Sequence, residues 1–311
     1  MKPKSTLLPF LALAGSSLLA VSSAHAQSTY IWANSNVSNT PNTFDWFTGG
    51  SNTQGIWTGG TPVSGNLNTI QFFSAPPTPV PNTTTVTQGS NVNNGGNAFE
   101  LGILTLSGQA PATANIDLAM NVTGDALNFS AATGTINLDS VDVPANSRNI
   151  IWSVSNAIQL GTVSTASTLT LTGNGNSAFN FSGGFTELQA GGGSKLIKSG
   201  SSTTTLSGAV TVSGGLEVNG GVLRLTNGSN VITGGITLNG GSFGDNTGTI
   251  STATLNNNNI TVGGTATIGF ANGATTNGGI TLNSGSLTTG TNGGGATVNG
   301  AVTGVGALVI G

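Results

Sequence analysis

The chain has no cysteine, one histidine (His25), and charged side chains at only 5% of its 311 positions. Without cysteine there is no disulfide framework, so a packed interior must supply all the stability. Six basic residues spread along the chain form no basic stripe, and nucleic acid is not an expected partner. Aromatic residues make up 5% of the chain. Proline stops at Pro144. Proline removes a donor from a β-ladder, so its absence from 145 to 311 suits uninterrupted central strands.

What is present is Gly, with 50 residues, alongside abundant Thr, Asn and Ser and an apolar content of 36%. That apolar content is high enough for a folded chain despite the low charge. The first 26 residues read as a secretory signal peptide. Lys2 and Lys4 open it, Leu7 to Leu19 is an apolar run too short for a membrane span, and Ala24-His25-Ala26 is a small-x-small cleavage site. The mature chain is expected to begin at Gln27. Removal takes Lys2, Lys4 and His25 with it, leaving Arg148, Lys195, Lys198 and Arg224 against nine carboxylates, a formal charge of −5 and no histidine.

A repeat organises the second half. Leu216-Glu217-Val218, Ile236-Thr237-Leu238, Ile260-Thr261-Val262 and Ile280-Thr281-Leu282 begin 20, 24 and 20 residues apart. Each is an apolar-polar-apolar triplet followed by a turn. Side chains alternate along a strand, so Leu238 is expected inward and Thr237 outward, and likewise in the other triplets. Asn219-Gly220 and Asn239-Gly240 supply the turn. A rung of this length fits three short strands and three turns, and such rungs stack about 4.8 Å apart as parallel strands in a β-solenoid. Asn-Gly is also the strongest hairpin signal, so an antiparallel hairpin array is the alternative.

Three regions are therefore expected: a signal peptide over 1–26, an N-terminal cap with a proline-rich connector over 27–95, and solenoid repeats over 96–311. The cap expectation rests on Tyr30, Trp32, Phe44, Trp46, Phe47, Trp57, Phe72 and Phe73. A solenoid end exposes a strand edge and an open core, and aromatic bulk closes it. Alternatively, Trp32, Trp46 and Trp57 stack on sugar rings. Residues 75–81 read as a stiff extended connector or an external loop, and Thr83 to Gly96 as polar and turn-rich. Strand signals resume at Leu101 to Leu106, Ile116 to Leu118, Ala126 to Phe129, Ile136 to Leu138, Ile150 to Val154 and Thr168 to Leu171. Phe179, Phe181 and Phe185 read as core. The sequence stops on Ala307-Leu308-Val309-Ile310-Gly311, an apolar strand with no closing rung, and is expected to continue in a longer protein.

Residues 195–225 resemble the autotransporter-associated β-strand repeat, also called the passenger-associated transport repeat. The resemblance lies in Leu196-Ile197-Lys198-Ser199-Gly200, in Thr204-Thr205-Leu206-Ser207-Gly208, and in Gly214-Gly215-Leu216-Glu217-Val218 continued by Asn219-Gly220-Gly221-Val222-Leu223-Arg224-Leu225. The family's Asn-Thr-Tyr-Thr is replaced by Ala-Val-Thr-Val-Ser at 209–213. The resemblance implies a right-handed parallel β-helix passenger, exported across the outer membrane and accompanied by a translocator or anchor.

The residue inventory restricts chemistry. A mature chain without His or Cys excludes Ser-His-Asp and Cys-His catalysis and His- or Cys-based metal sites. Glycoside cleavage needs two carboxylates at a defined separation. Asp139 and Asp142 are the closest pair in sequence, but at i, i+3 in an extended segment they face opposite sides. Gly240-Gly241-Ser242-Phe243-Gly244-Asp245 misses the calcium-binding nonapeptide by one place. Gly191-Gly192-Gly193-Ser194-Lys195 lacks the ending of a phosphate loop and reads as a turn. Lys195 and Lys198 fall on opposite strand faces, and an inward one reads as packing. The sequon Asn121-Val122-Thr123 is of a kind that chance supplies in so Asn- and Thr-rich a chain. No catalytic, cofactor or metal residue is assigned. The expected protein is an all-β structural or adhesive solenoid, secreted or on the cell surface, with an unidentified surface ligand such as polysaccharide. A polysaccharide-degrading or sugar-binding β-helix is the rival.

Overall fold

Short alternating segments make strands only if something pairs with their edges, and here each turn of the chain pairs with the turns before and after it. A computed structural model describes residues 27–34, 42–45, 56–74, 85–109, 117–142, 149–244, 258–270, 275–291 and 297–310. The leader, Trp46, Phe47, the connector at 75–81, Arg148 and Asp245 lie outside the described residues. The protein is a parallel β-helix with an aromatic-rich N-terminal cap. Its strands form a twelve-stranded, an eleven-stranded and a six-stranded sheet, with a further pair between Thr275–Thr276 and Thr297–Val298. Successive strands of each long sheet come from successive turns of the chain. The hairpin array is not formed: Asn219 and Asn239 sit at corners, and the positive φ falls on the second glycine, +64° at Gly221 and +67° at Gly241.

In the first sheet, Leu196, Leu216, Ile236, Ile260 and Ile280 are register partners in consecutive rungs and form one buried column. A parallel column runs through Leu171, Lys198, Val218, Leu238, Val262 and Leu282. Between them the outward row reads Ile197, Glu217, Thr237, Thr261, Thr281. The triplet alternation thus places its residues as the sequence predicts. The rungs are tied main chain to main chain: Leu216 N donates to Gly235 O at 3.0 Å, Ile236 N to Asn259 O at 3.0 Å, and Ile260 N to Gly279 O at 2.9 Å. In the second sheet Trp152, Phe179, Thr204, Leu223, Phe243 and Ile268 stack inward.

The N-terminal segment both continues the stack and closes it. Thr29–Asn34 pairs in parallel with Thr69–Ser74, which pairs with Ile103–Gln109. On the outer edge of Thr29–Asn34 the strand Ile56–Thr58 runs antiparallel, the only such pairing among the described residues. A reversed strand ends the parallel ladder and covers its edge. Trp57 on that strand packs against the core, edge-on to Phe72 at 5.8 Å. Phe72 in turn meets Trp32 at 5.9 Å and Trp152 at 6.3 Å.

The stretch expected to be polar and turn-rich contains an eight-residue strand, Thr85–Val92. It pairs with Asp117–Gly124 over its whole length. Main-chain bonding to neighbouring rungs overrides a polar composition, and Thr and Val suit the pleat.

Reversing the polarity of one triplet tests the register. Leu238→Asp places an unpaired carboxylate in a closed column and is predicted to cost about 3 kcal/mol or more, whereas Thr237→Asp should cost about 1 kcal/mol or less. Urea denaturation of both variants reads the difference; equal losses would contradict the register.

Candidate functional site

Trp32 is buried at 1% exposure, enclosed by Phe72, and so belongs to the core rather than to a sugar platform. Trp57 is half-buried beside it. Trp46 lies outside the described residues. Phe179, Phe181 and Phe185 are core as expected, with the last two edge-on at 5.6 Å.

The carboxylates bind their own chain. Asp139 is exposed, and its Oδ1 accepts a long bond from Asn174 N at 3.4 Å. Asp142 Oδ1 instead accepts from Ile150 N at 2.8 Å and from Ser177 Oγ at 2.7 Å, tying two successive rungs. The two acids thus have separate partners. Asp125 Oδ2 accepts from Asn94 N at 2.5 Å and Gly96 N at 3.0 Å, pinning the turn of the preceding rung. Glu217 accepts from Lys195 across one rung and from Asn239 Nδ2 at 3.1 Å across the next. The hydrogen bond from the Lys195 ammonium holds the Glu217 carboxyl below its ordinary range.

Glu187 shows what the glycine-rich loop does. Its Oε1 accepts from Gly191 N at 3.0 Å, and its Oε2 from Ser194 N at 3.1 Å and Ser213 Oγ at 2.8 Å. Gly193 N donates to the same Ser213 hydroxyl at 2.8 Å. Successive N–H groups of a tight loop make an anion nest. Here the chain fills the nest with its own buried carboxylate, so 191–195 is a turn, as its sequence indicates.

Lys195 and Lys198 part company as strand alternation requires. Lys195 is outward, and Lys198 is fully buried in the column between Leu171 and Val218. A charge in such a column is costly unless paired or hydrogen-bonded. The Lys198 ammonium reaches the corner between the first and second sheets and donates to Ser199 O at 2.6 Å, Gly200 O at 3.4 Å and Gly220 O at 3.5 Å. Desolvation nonetheless lowers its pKa to about 8. Ser202 and Thr204 of the same rung are also buried, and their hydroxyl oxygens have no hydrogen-bond partner. This rung thus carries an ammonium and two hydroxyls in its interior. The hydroxyls are not bonded to the Lys198 amine, so no activated nucleophile is assembled.

The outer face of the second sheet carries a cleft of about 320 Å³. It is lined by Asp142, Asn149, Asn176, Asn180, Thr203, Thr205 and Arg224, with apolar surface from the outward Ile151 and Ala178. Asn180, Thr205 and Arg224 are register partners in three consecutive rungs. No sequence motif marks these residues, which span 142 to 224 and meet only through the stacking. A second cleft, of about 280 Å³, is lined by Thr233, Gly234, Gly235, Ile236, Thr237, Asn258, Asn259 and Thr261 and has no charged group. Among the described residues no group of three or more His, Cys, Asp or Glu lies close enough to hold a metal ion. The calcium near-match ends on Asp245, outside the described residues. No protein-family description, curated protein or solved structure matches the chain.

Burial of Lys198 predicts an unusual alkaline response. The unfolded chain holds this proton up to about pH 10.5, whereas the folded protein releases it near pH 8. Stability is therefore lowest below pH 8, where folding buries an ammonium, and rises between those values. Urea midpoints measured from pH 7 to 10 should show a rise in the parent that Lys198→Met lacks. Parallel pH profiles for the two proteins would contradict the assignment.

Proposed function

We propose that the chain is a non-catalytic structural and adhesive β-solenoid, secreted or displayed on the surface of a bacterium as the passenger of an autotransporter-like protein. One observation carries the reading: Asp125, Asp142, Glu187, Glu217 and Lys198 are all bonded to turns, strand ends or neighbouring rungs. The groups with chemical potential thus hold the rod together. The outer rows offer hydroxyls and amides, the groups of a contact surface. The leader-like first 26 residues support export, and the repeat resemblance of 195–225 supports passage through an outer-membrane translocator or anchor. The partner is a surface ligand of polysaccharide type, with no nucleic acid involved and no cofactor required.

Turnover is the discriminating measurement. Residues 27–311, incubated with plant, algal and bacterial polysaccharides, should release no new reducing ends and no unsaturated products. Turnover that disappears in Asp139→Asn or Asp142→Asn would overturn this reading in favour of a polysaccharide-degrading β-helix.

A further inference from the structure

We infer that the rung carrying Lys198 is a weak joint that divides the solenoid into two cooperative units, and that the rungs after it unfold while those before it stay folded. The inference does not depend on the adhesive reading above.

In a stacked repeat, stability is the sum of what each rung contributes and what each interface between rungs adds. One poor interface therefore separates the cooperativity on its two sides. The rung built from Lys195–Lys198, Thr203–Leu206 and Val210–Val212 makes such an interface. Two inward columns are apolar on both sides of it and polar within it. In the first sheet the column reads Leu171, Lys198, Val218, and in the second Phe179, Thr204, Leu223. All six side chains are buried. The Lys198 ammonium is held mainly by its own turn, at 2.6 Å from Ser199 O, and its bond to the next rung, to Gly220 O, is 3.5 Å long. Ser202 Oγ and Thr204 Oγ1 are buried without a hydrogen-bond partner. These hydroxyls lose their hydration and gain no bond to either neighbouring rung. The main-chain ladders run through, but side-chain packing is weakened on both faces of this rung.

The two sides of the joint are also built differently. Among the described residues, nine buried aromatic side chains precede residue 195 and two follow it. The aromatic column of the second sheet, Trp152 and Phe179, is interrupted at Thr204. Strands of the first sheet shorten across the joint. Thr133–Val141 has nine residues, Thr168–Thr172 five, Lys195–Lys198 four, and Leu216–Val218, Ile236–Leu238 and Ile260–Val262 three each. Longer strands and larger side chains bury more apolar area per rung, so the side before the joint is the more stable one.

The chain carries its own probes. All four tryptophans, Trp32, Trp46, Trp57 and Trp152, precede the joint. Their fluorescence reports one unit, while far-ultraviolet circular dichroism reports both. Urea unfolding of residues 27–311 at pH 7 should show circular dichroism falling in two steps, the first with fluorescence unchanged; coincident transitions mark a single cooperative unit. Amide hydrogen exchange read by mass spectrometry needs no variant and locates the step. After correction for intrinsic rates, Leu216–Val218, Ile236–Leu238 and Ile260–Val262 are expected to exchange about tenfold or more faster than Ile103–Gln109, Thr133–Val141 and Thr168–Thr172. Lys198→Met with Thr204→Val makes both columns apolar and should bring the two steps together. Thr204→Val alone leaves the lysine's hydrogen bonds in place and should narrow the gap; it carries the test if the double variant fails to fold. Thr205→Val, on the outward face of the same strand, should leave the gap unchanged. Coincident transitions in the parent, a protection step at another rung, an unchanged gap in Thr204→Val, or an equal narrowing by Thr205→Val would each overturn the inference.

Discussion

Every rung must satisfy its backbone N–H and C=O groups on the rungs above and below, and the rest of the structure follows from that requirement. Partners have to lie in register, so each inward position becomes a column and each outward position a row. Leu196, Leu216, Ile236, Ile260 and Ile280 share a column because their amides and carbonyls share a ladder. Corners are equally constrained. At Gly241, φ is +67°, and a Cβ there would lie 2.6 Å from Gly221 O. Only glycine meets both conditions without strain. The high glycine content is thus a product of the stacking, not a sign of flexibility.

The same constraint decides where polar groups go. A narrow core has little room for charge, yet Lys198 occupies it, because its long stem reaches carbonyls that the corner leaves available. Two carboxylates bind the N–H groups of turns: Asp125 those of residues 94–96 in the preceding rung, and Glu187 those of residues 191–194 just after its own strand. Such bonds are individually modest, about 1.5–3 kcal/mol where a charged group takes part. Their placement at corners supplements the ladder where the strands themselves end. Because each tie reaches only the next rung or the next turn, stability is expected to accumulate locally along the rod. Among the described residues the outer rows carry mostly hydroxyls and amides, with Ile197 and the Lys195–Glu217 pair among them.

Much of this was legible in the residues. Ile236-Thr237-Leu238 declares its faces by alternation, and recurrence of the triplet at about the same interval declares parallel stacking. The aromatic cluster near the N-terminus signalled a cap, but not that Trp57 would ride on a reversed strand. The strand Thr85–Val92 escaped notice because its pairing partner, Asp117–Gly124, supplies what its own composition lacks. Alternation put Lys195 and Lys198 on opposite faces, but the burial of Lys198 depended on carbonyls of Gly200 and Gly220 that only folding brings to it. The cleft was invisible for the same reason: Asp142 and Arg224 share one site only because the intervening rungs stack in register.

The absence of cysteine makes that register directly measurable. Thr237, Thr261 and Thr281 are outward partners in consecutive rungs. Neighbouring rungs are about 4.8 Å apart, within reach of a disulfide, while alternate rungs are about twice as far. Paired substitutions Thr237→Cys with Thr261→Cys should crosslink under mild oxidation, as should Thr261→Cys with Thr281→Cys, whereas Thr237→Cys with Thr281→Cys should not. Crosslinking of the skipped pair, or of none of the three, would contradict the stacked solenoid on which the whole account depends.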